Sequence, residues 1–153
     1  VSVMHFEITK DAEYVKYCLT HPAVWRHIQD DAANGINPKL FFPSMNGVIY
    51  VKAGDYGLIL GKQLNLVNYD VHIALLPNAR GSAADICKKA IEWWFGETVG
   101  HMRLTTSILS NNHLARRLVE SVGMEFIGVN RKSFQKNGCI FDQYLYGLSK
   151  EQK

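Results

Sequence analysis

The stretch VHIALLPNARGSAADICKKA, residues 71–90, decides the fold. An aliphatic run passes through a turn holding Pro77 and Gly81. It then enters a segment where Ala83, Ile86, Cys87, Ala90, Ile91, Trp94 and Phe95 recur at three-four spacing. The reading is a long strand, Leu64 to Leu76, delivered into an amphipathic helix from Gly81 to about Thr98, with Gly100 at its end. Met102 to Leu109 reads as the next strand, so the unit is a strand-helix-strand crossover of the kind that joins parallel strands.

Working outward, the pattern on either side is different. Upstream, Val3 to Ile8 alternates as a strand. Thr9 stands where a helix cap belongs, ahead of Asp11, Glu13 and an apolar side of Tyr14, Val15 and Cys18. Pro22 suits a first helical position, so PAVWRHIQDD predicts a second short helix. Asp31 to Met45 is a loop whose Phe41 and Phe42 need cover. Gly47 to Lys52 and Tyr56 to Leu60 are strands, with turns at Gly54-Asp55 and Lys62-Gln63, which predicts an antiparallel meander. Downstream, Asn111 or Asn112 caps a helix with the stripe Leu114, Ala115, Leu118, Val119 and Val122, stopped by Gly123. Strands Glu125 to Phe134 and Ile140 to Leu148 follow, joined by Asn137-Gly138, a strong hairpin signal. The predicted order is strand, two helices, three strands, helix, strand, helix, two strands: a mixed α/β sheet fold in one domain over residues 1–153.

Composition excludes several classes of function. The chain has 153 residues, 47% hydrophobic and 20% charged, which is a globular balance rather than a disordered one. No run of 18 apolar residues could span a membrane. The start, VSVMHFEITKD, lacks the basic and apolar regions of a signal peptide, and Val1 is read as following a trimmed Met. Net charge is +3, and the densest basic group is Arg131, Lys132 and Lys136, too little for a nucleic-acid footprint. Cys18, Cys87 and Cys139 are odd in number and far apart, which argues against disulfides or zinc and for a reducing, cytoplasmic setting. The histidines are dispersed, so no metal is expected, and G-x-S-x-G is absent.

The chemistry centres on the turn at residues 78–83. A helix N-terminus offers unpaired amide hydrogens and about half a positive charge, and the small Gly81, Ser82 and Ala83 let an anion approach them. Taken alone, the plainer reading is preferred: Gly81 ends a strand and Ser82 caps a helix. Other phosphate motifs fail. GLILGK has three residues between its glycines where a Walker loop has four, and no G-x-G-x-x-G occurs.

Two segments in register change the balance. Asn78-Ala79-Arg80-Gly81-Ser82-Ala83 resembles the acyl-CoA loop Q/R-x-x-G-x-G/A of the GNAT (GCN5-related N-acetyltransferase) superfamily, departing at Asn78. Asn112 to Met124 is similar to that family's N-x-x-A-x-x-L-Y-E-x-x-G-F, keeping Asn112, Ala115, Leu118, Glu120 and Gly123. The element order is similar from end to end, and DVHIALLPNARG looks most like compact phage-encoded members. The resemblance implies a GNAT fold with splayed central strands and an acetyl-CoA cofactor. Leu75 and Leu76 would offer backbone groups to the pantetheine arm, with an N–H near Leu76 polarising the thioester. Asn78 and the amides of Arg80, Gly81, Ser82 and Ala83 would hold the diphosphate, and Asn112 would bond the arm. Arg116 either reaches a phosphate or is a solvated surface arginine.

The resemblance further implies transfer of acetyl directly to a primary amine, on a small molecule or a protein. The base belongs on the strand before the loop, where Asp70 and His72 share a face. His72 is either that base or a histidine bonded to backbone, and Asp70 either a base or an exposed carboxylate. The family's acid, a tyrosine, falls at Val119. Either the thiolate leaves unassisted or through water, or Ser121 or Tyr144 serves, or the chain is a binding or structural module without turnover. Trp25, His27, Phe41, Phe42 and the hairpin basics are candidates for the acceptor wall, and Trp93 marks a candidate homodimer surface.

Overall fold

A computed structural model of the chain describes residues 4–28, 37–98 and 100–151. The elements are β1 (Phe6–Ile8), α1 (Ala12–Thr20), α2 (Pro22–Ile28), β2 (Val48–Ala53), β3 (Gly57–Gln63), β4 (Asn68–Leu75), α3 (Ala83–Glu97), β5 (Arg103–Leu109), α4 (His113–Ser121), β6 (Glu125–Lys136) and β7 (Cys139–Ser149). Short 3-10 turns occupy Pro38–Leu40 and Pro77–Ala79. One seven-stranded sheet runs β1-β2-β3-β4-β5-β7-β6. Every neighbouring pair is antiparallel except β4 and β5, which the α3 crossover makes parallel.

Strand alternation divides the core between two faces. Val51, Ile59, Tyr69, Leu104, Ile108 and Tyr146 face α3 and α4, where Ala90 and Trp94 meet them. Tyr50, Leu58 and Ala74 face the opposite way, against Val15, Cys18, Leu19 and Val24 of α1 and α2. A third cluster of Ala53, Ala79 and Ile86 ties the first turn of α3 to the sheet. Trp94 is 2% exposed and its ring lies on Gly61, where an added Cβ would stand 2.3 Å from a ring carbon. Gly61→Ala is therefore expected to destabilise the protein by about 1–3 kcal/mol, since overpacking forces ring or strand aside. A melting curve checks this; an unchanged midpoint would show that the ring can yield.

The structure corrects several sequence expectations. Lys62 and Gln63 are strand, and the β3–β4 turn sits at 64–67 instead. Asn65 makes it: its Oδ1 accepts from the amides of Val67 (3.0 Å) and Asn68 (2.9 Å), a local side-chain bond that outcompetes strand pairing. Leu66, read as strand, is 83% exposed at this tip. Asp11, not Thr9, caps α1, accepting from the Tyr14 amide. α3 starts at Ala83, two residues later than expected. Asn112 rather than Asn111 caps α4. Leu114 leaves the predicted stripe and is 77% exposed; Ala115, Val119 and Val122 pack on the core. Trp93 is half-buried and packs beside Phe6 of β1, with ring centroids 6.3 Å apart. Residues 29–36, part of the expected second helix and loop, lie outside the described residues.

Candidate functional site

The site begins where β4 and β5 part. They pair only at Asn68↔Arg103, Tyr69↔Leu104 and Asp70↔Thr105. β4 continues to Leu75 and β5 to Leu109 without each other, so a fork opens between them. Along an antiparallel pair, alternate residues exchange their bonds with the same neighbour. Leu64 N–H bonds Asn68 O and Leu76 N–H bonds Tyr56 O, so the even residues of β4 turn their backbone groups to β3. The N–H and C=O of Ile73 and Leu75 then point into the fork. Ile73 was not anticipated from sequence. Leu76 itself is corrected: its N–H is held by Tyr56 (2.8 Å) and its C=O accepts from Ala79 (2.9 Å), which leaves the Leu75 N–H as the neighbouring donor toward the fork.

β4 runs into the Pro77–Ala79 turn and then α3. Two of the expected anion-binding amides are used internally. Arg80 N–H bonds Pro77 O (3.1 Å) and Ser82 N–H bonds Ala79 O (2.9 Å). The amides of Gly81 and Ala83 have no backbone acceptor among the described residues, nor do those of Ala84 and Asp85. Ser82 precedes α3 but its hydroxyl caps nothing, so these donors stay open. Gly81 has φ +86°, and a Cβ there would meet nothing within 4 Å, which leaves clear approach to the amides. Asp85 would repel an anion, but Lys89 draws its carboxylate into an ion pair (3.0 Å) along the helix. The Arg80 side chain is exposed. Asn78 is spent elsewhere: its Nδ2 donates to Asp55 O (3.1 Å) and braces the turn against the β2–β3 connection.

His72 and Asp70 stand on the α1 face of β4, together with Ala74. The structure brings them into contact, His72 Nε2 lying 2.9 Å from Asp70 Oδ2. Their side chains are 46% and 28% exposed. With Nε2–H donating to the carboxylate, Nδ1 is left as the basic nitrogen. Neither residue is the isolated group that sequence spacing alone describes.

On α4, Asn112 Oδ1 accepts from the Ala115 amide (3.2 Å), so its carbonyl caps the helix and its amide NH₂ group is left to other partners. Arg116 lies on the Tyr144 ring (4.3 Å) and its Nε approaches the Tyr146 hydroxyl (3.4 Å), which donates to Glu120 (2.8 Å). The Arg116 guanidinium thus lies against two tyrosines, with Nε its one hydrogen-bonded nitrogen among the described residues. Ser121 donates to Leu118 O (2.6 Å) and sits about 200° around the helix from Val119, whose side chain packs on the core. Ser121 is thus placed on the wrong side of α4 to replace a tyrosine at Val119.

The expected acceptor wall is partly assembled. Trp25 packs edge-on against Phe41 (5.3 Å), and Lys136 at the β6–β7 tip donates to Arg26 O at the end of α2. Burial, then the charges of Arg26 and Lys136, hold His27 below the usual imidazole range. Phe42 stays 73% exposed beneath the Lys16 ammonium. Cysteine chemistry is disfavoured by placement: burial pushes the Cys87 thiol up to about 11 and raises Cys18. A thiol reagent is expected to label one cysteine, the exposed Cys139, rapidly in the native protein and all three after unfolding. Fast labelling of two would place a reactive thiol inside the fold.

No family model matches the chain, and no curated protein matches it in sequence. Solved structures do match. A putative phosphinothricin N-acetyltransferase aligns over 98% of this chain and 100% of its own, with TM-score 0.72 and 14% identity. An acetyltransferase (GNAT family) from Bacillus anthracis aligns over 67% of this chain and 66% of its own, with TM-score 0.56 and 19% identity. The microcin C7 self-immunity acetyltransferase MccE, in complex with acetyl-CoA and AMP, aligns over 67% and 60%, with TM-score 0.56 and 17% identity. At these identities the likeness is one of fold, and the chain has the GNAT fold, including the parted central strands.

Proposed function

We propose that the chain is an acetyl-CoA-dependent N-acetyltransferase. It moves an acetyl group directly to a primary amine, with cofactor and acceptor held together and no covalent enzyme intermediate. The observation that carries this reading is the fork: β4 and β5 separate beyond Asp70↔Thr105, and the exposed edge of β4 leads to four open amides at α3. An extended, amide-bearing arm fits the backbone of Ile73 and Leu75, and a diphosphate fits the amides of Gly81, Ala83, Ala84 and Asp85. The cofactor supplies an acetyl group already activated as a thioester, so positioning carries much of the barrier.

The remaining task is proton transfer. A primary ammonium has an ordinary pKa of about 10 and must lose a proton before it attacks. His72 Nδ1 takes it, and Asp70 holds Nε2–H and stabilises the imidazolium that forms. Ser121 does not replace the missing tyrosine at Val119, so the leaving thiolate, a weak base, takes its proton from water or from the Tyr144 hydroxyl of β7. The acceptor is a small amine or a protein amine, and the setting is cytoplasmic; no described helix is long and apolar enough to cross a membrane.

Acetyl-CoA titration followed by tryptophan fluorescence or heat tests the first half. Release of free CoA in the presence of an amine panel tests the second. Absence of any CoA binding would remove the enzyme reading. Val119 favours a second reading, a GNAT-fold binding module without turnover, and tight CoA binding with no release across the panel would select it.

A further inference from the structure

Beside α1 lies a cleft of about 350 Å³ that contains neither the His72–Asp70 pair nor the open amides. Tyr14, Tyr17 and His21 form one wall, Leu76 and Pro77 the apolar part, and Asp55 and Asn78 the remainder. The helical spacing of Tyr14, Tyr17 and His21 sets their rings in a row. Tyr14 and Tyr17 stand 6.3 Å apart, and Tyr17 meets His21 edge-on at 6.2 Å. His21 Nδ1 accepts from the Ala23 amide, so its Nε2 carries the ring hydrogen.

One charged group in this cleft lacks the partner its chemistry calls for. Asp55 is exposed and has no ion-pair partner among the described residues; its backbone oxygen, not its carboxylate, takes the Asn78 bond. The Tyr14 hydroxyl is buried beside the Cys18 thiol and is closed to the cleft, so Tyr14 contributes its ring to the wall rather than its oxygen.

We propose that this cleft binds a small organic molecule through a primary ammonium group, at a site separate from the fork. Such a group carries three N–H donors and a full charge. It can meet the exposed Asp55 carboxylate while lying against the Tyr17 ring, which is 56% exposed. An anion would face the Asp55 charge instead, and a neutral apolar molecule would leave the carboxylate unpaired. The chain itself shows the attraction: Lys52 Nζ lies 4.8 Å from the Tyr14 ring centroid, which leaves the Tyr17 end of the row for a ligand. Leu76 and Pro77 then hold the organic part.

The test uses the full chain without CoA, so it is independent of acetyl transfer. Benzylamine and the neutral benzyl alcohol are titrated at pH 7 while amide and aromatic resonances are followed. Benzylamine is expected to saturate with shifts centred on Tyr17, His21 and Asp55, and benzyl alcohol to bind at least about tenfold more weakly. Asp55→Asn, an isosteric change on an exposed turn, is expected to weaken benzylamine by about tenfold and leave benzyl alcohol unchanged. Tyr17→Ala is a second variant and is expected to weaken benzylamine similarly. Equal binding of amine and alcohol, an unaltered affinity in Asp55→Asn, shifts centred on His72, or no saturation would each overturn the proposal.

Discussion

Gly81→Asp is expected to abolish acetyl-CoA binding, with affinity falling by at least about 100-fold. Two effects act together. The first is charge: a carboxylate beside a diphosphate at about 4 Å costs up to about 4 kcal/mol at the effective dielectric of a protein surface, reduced by salt. The second is conformation, because Gly81 holds φ +86°, where most side chains are strained. Gly81→Asn separates them. Asparagine tolerates the left-handed region better than most residues and carries no charge, and an added Cβ has open space. Its affinity is expected to stay within about tenfold of the parent. Calorimetric titration of both variants at low and moderate salt makes the comparison. An unaltered affinity in a folded Gly81→Asp protein would mean that the amides at the start of α3 hold no diphosphate.

His72→Ala is expected to lower turnover by about 10²–10³-fold while leaving acetyl-CoA affinity intact, the scale of a lost general base. Asp70 contacts His72 rather than the acceptor, so its role is to position. Asp70→Asn is expected to lower turnover less, by about tenfold, with acetyl-CoA affinity intact, since the charge that stabilises the imidazolium is gone. Both variants sit on a strand face that is partly open to water, so folding should survive. Full activity in His72→Ala would assign the proton to another group. Equal loss of activity and of CoA binding would make the pair structural.

Much of the scaffold follows from local rules. The long period of α3, the Asn137-Gly138 turn with φ of 54° and 74°, and the meander before β4 are each legible over a few residues. Where the reading slipped, a side chain overrode the pattern. Asn65 moved the β3–β4 turn two residues on by binding two amides, although Leu64, Leu66 and Val67 look like strand. The fork could be anticipated only by family resemblance, because nothing within β4 marks where β5 will leave it.

The site residues divide in the same way. Gly81 and Ala83 can be picked out by type and by their place at a helix start, and Asp70 and His72 by their shared strand face; Leu75 is reached only through the family resemblance, and Ile73 by extending the alternation from it. Leu76, Asn78, Arg80, Ser82 and Ser121 carry suitable groups, but these prove to be bound to protein atoms or turned away.

Residue order by itself determined the kinds of element, their succession and the parallel crossover, since each depends on side-chain period and turn chemistry within a short span. Only the tertiary structure decided which donors remain unpaired, that Asp70 and His72 share a bond, and that two strands part after three paired residues. A hydrogen-bonding group is either satisfied or open according to what distant segments bring to it, and no count along the chain contains that information.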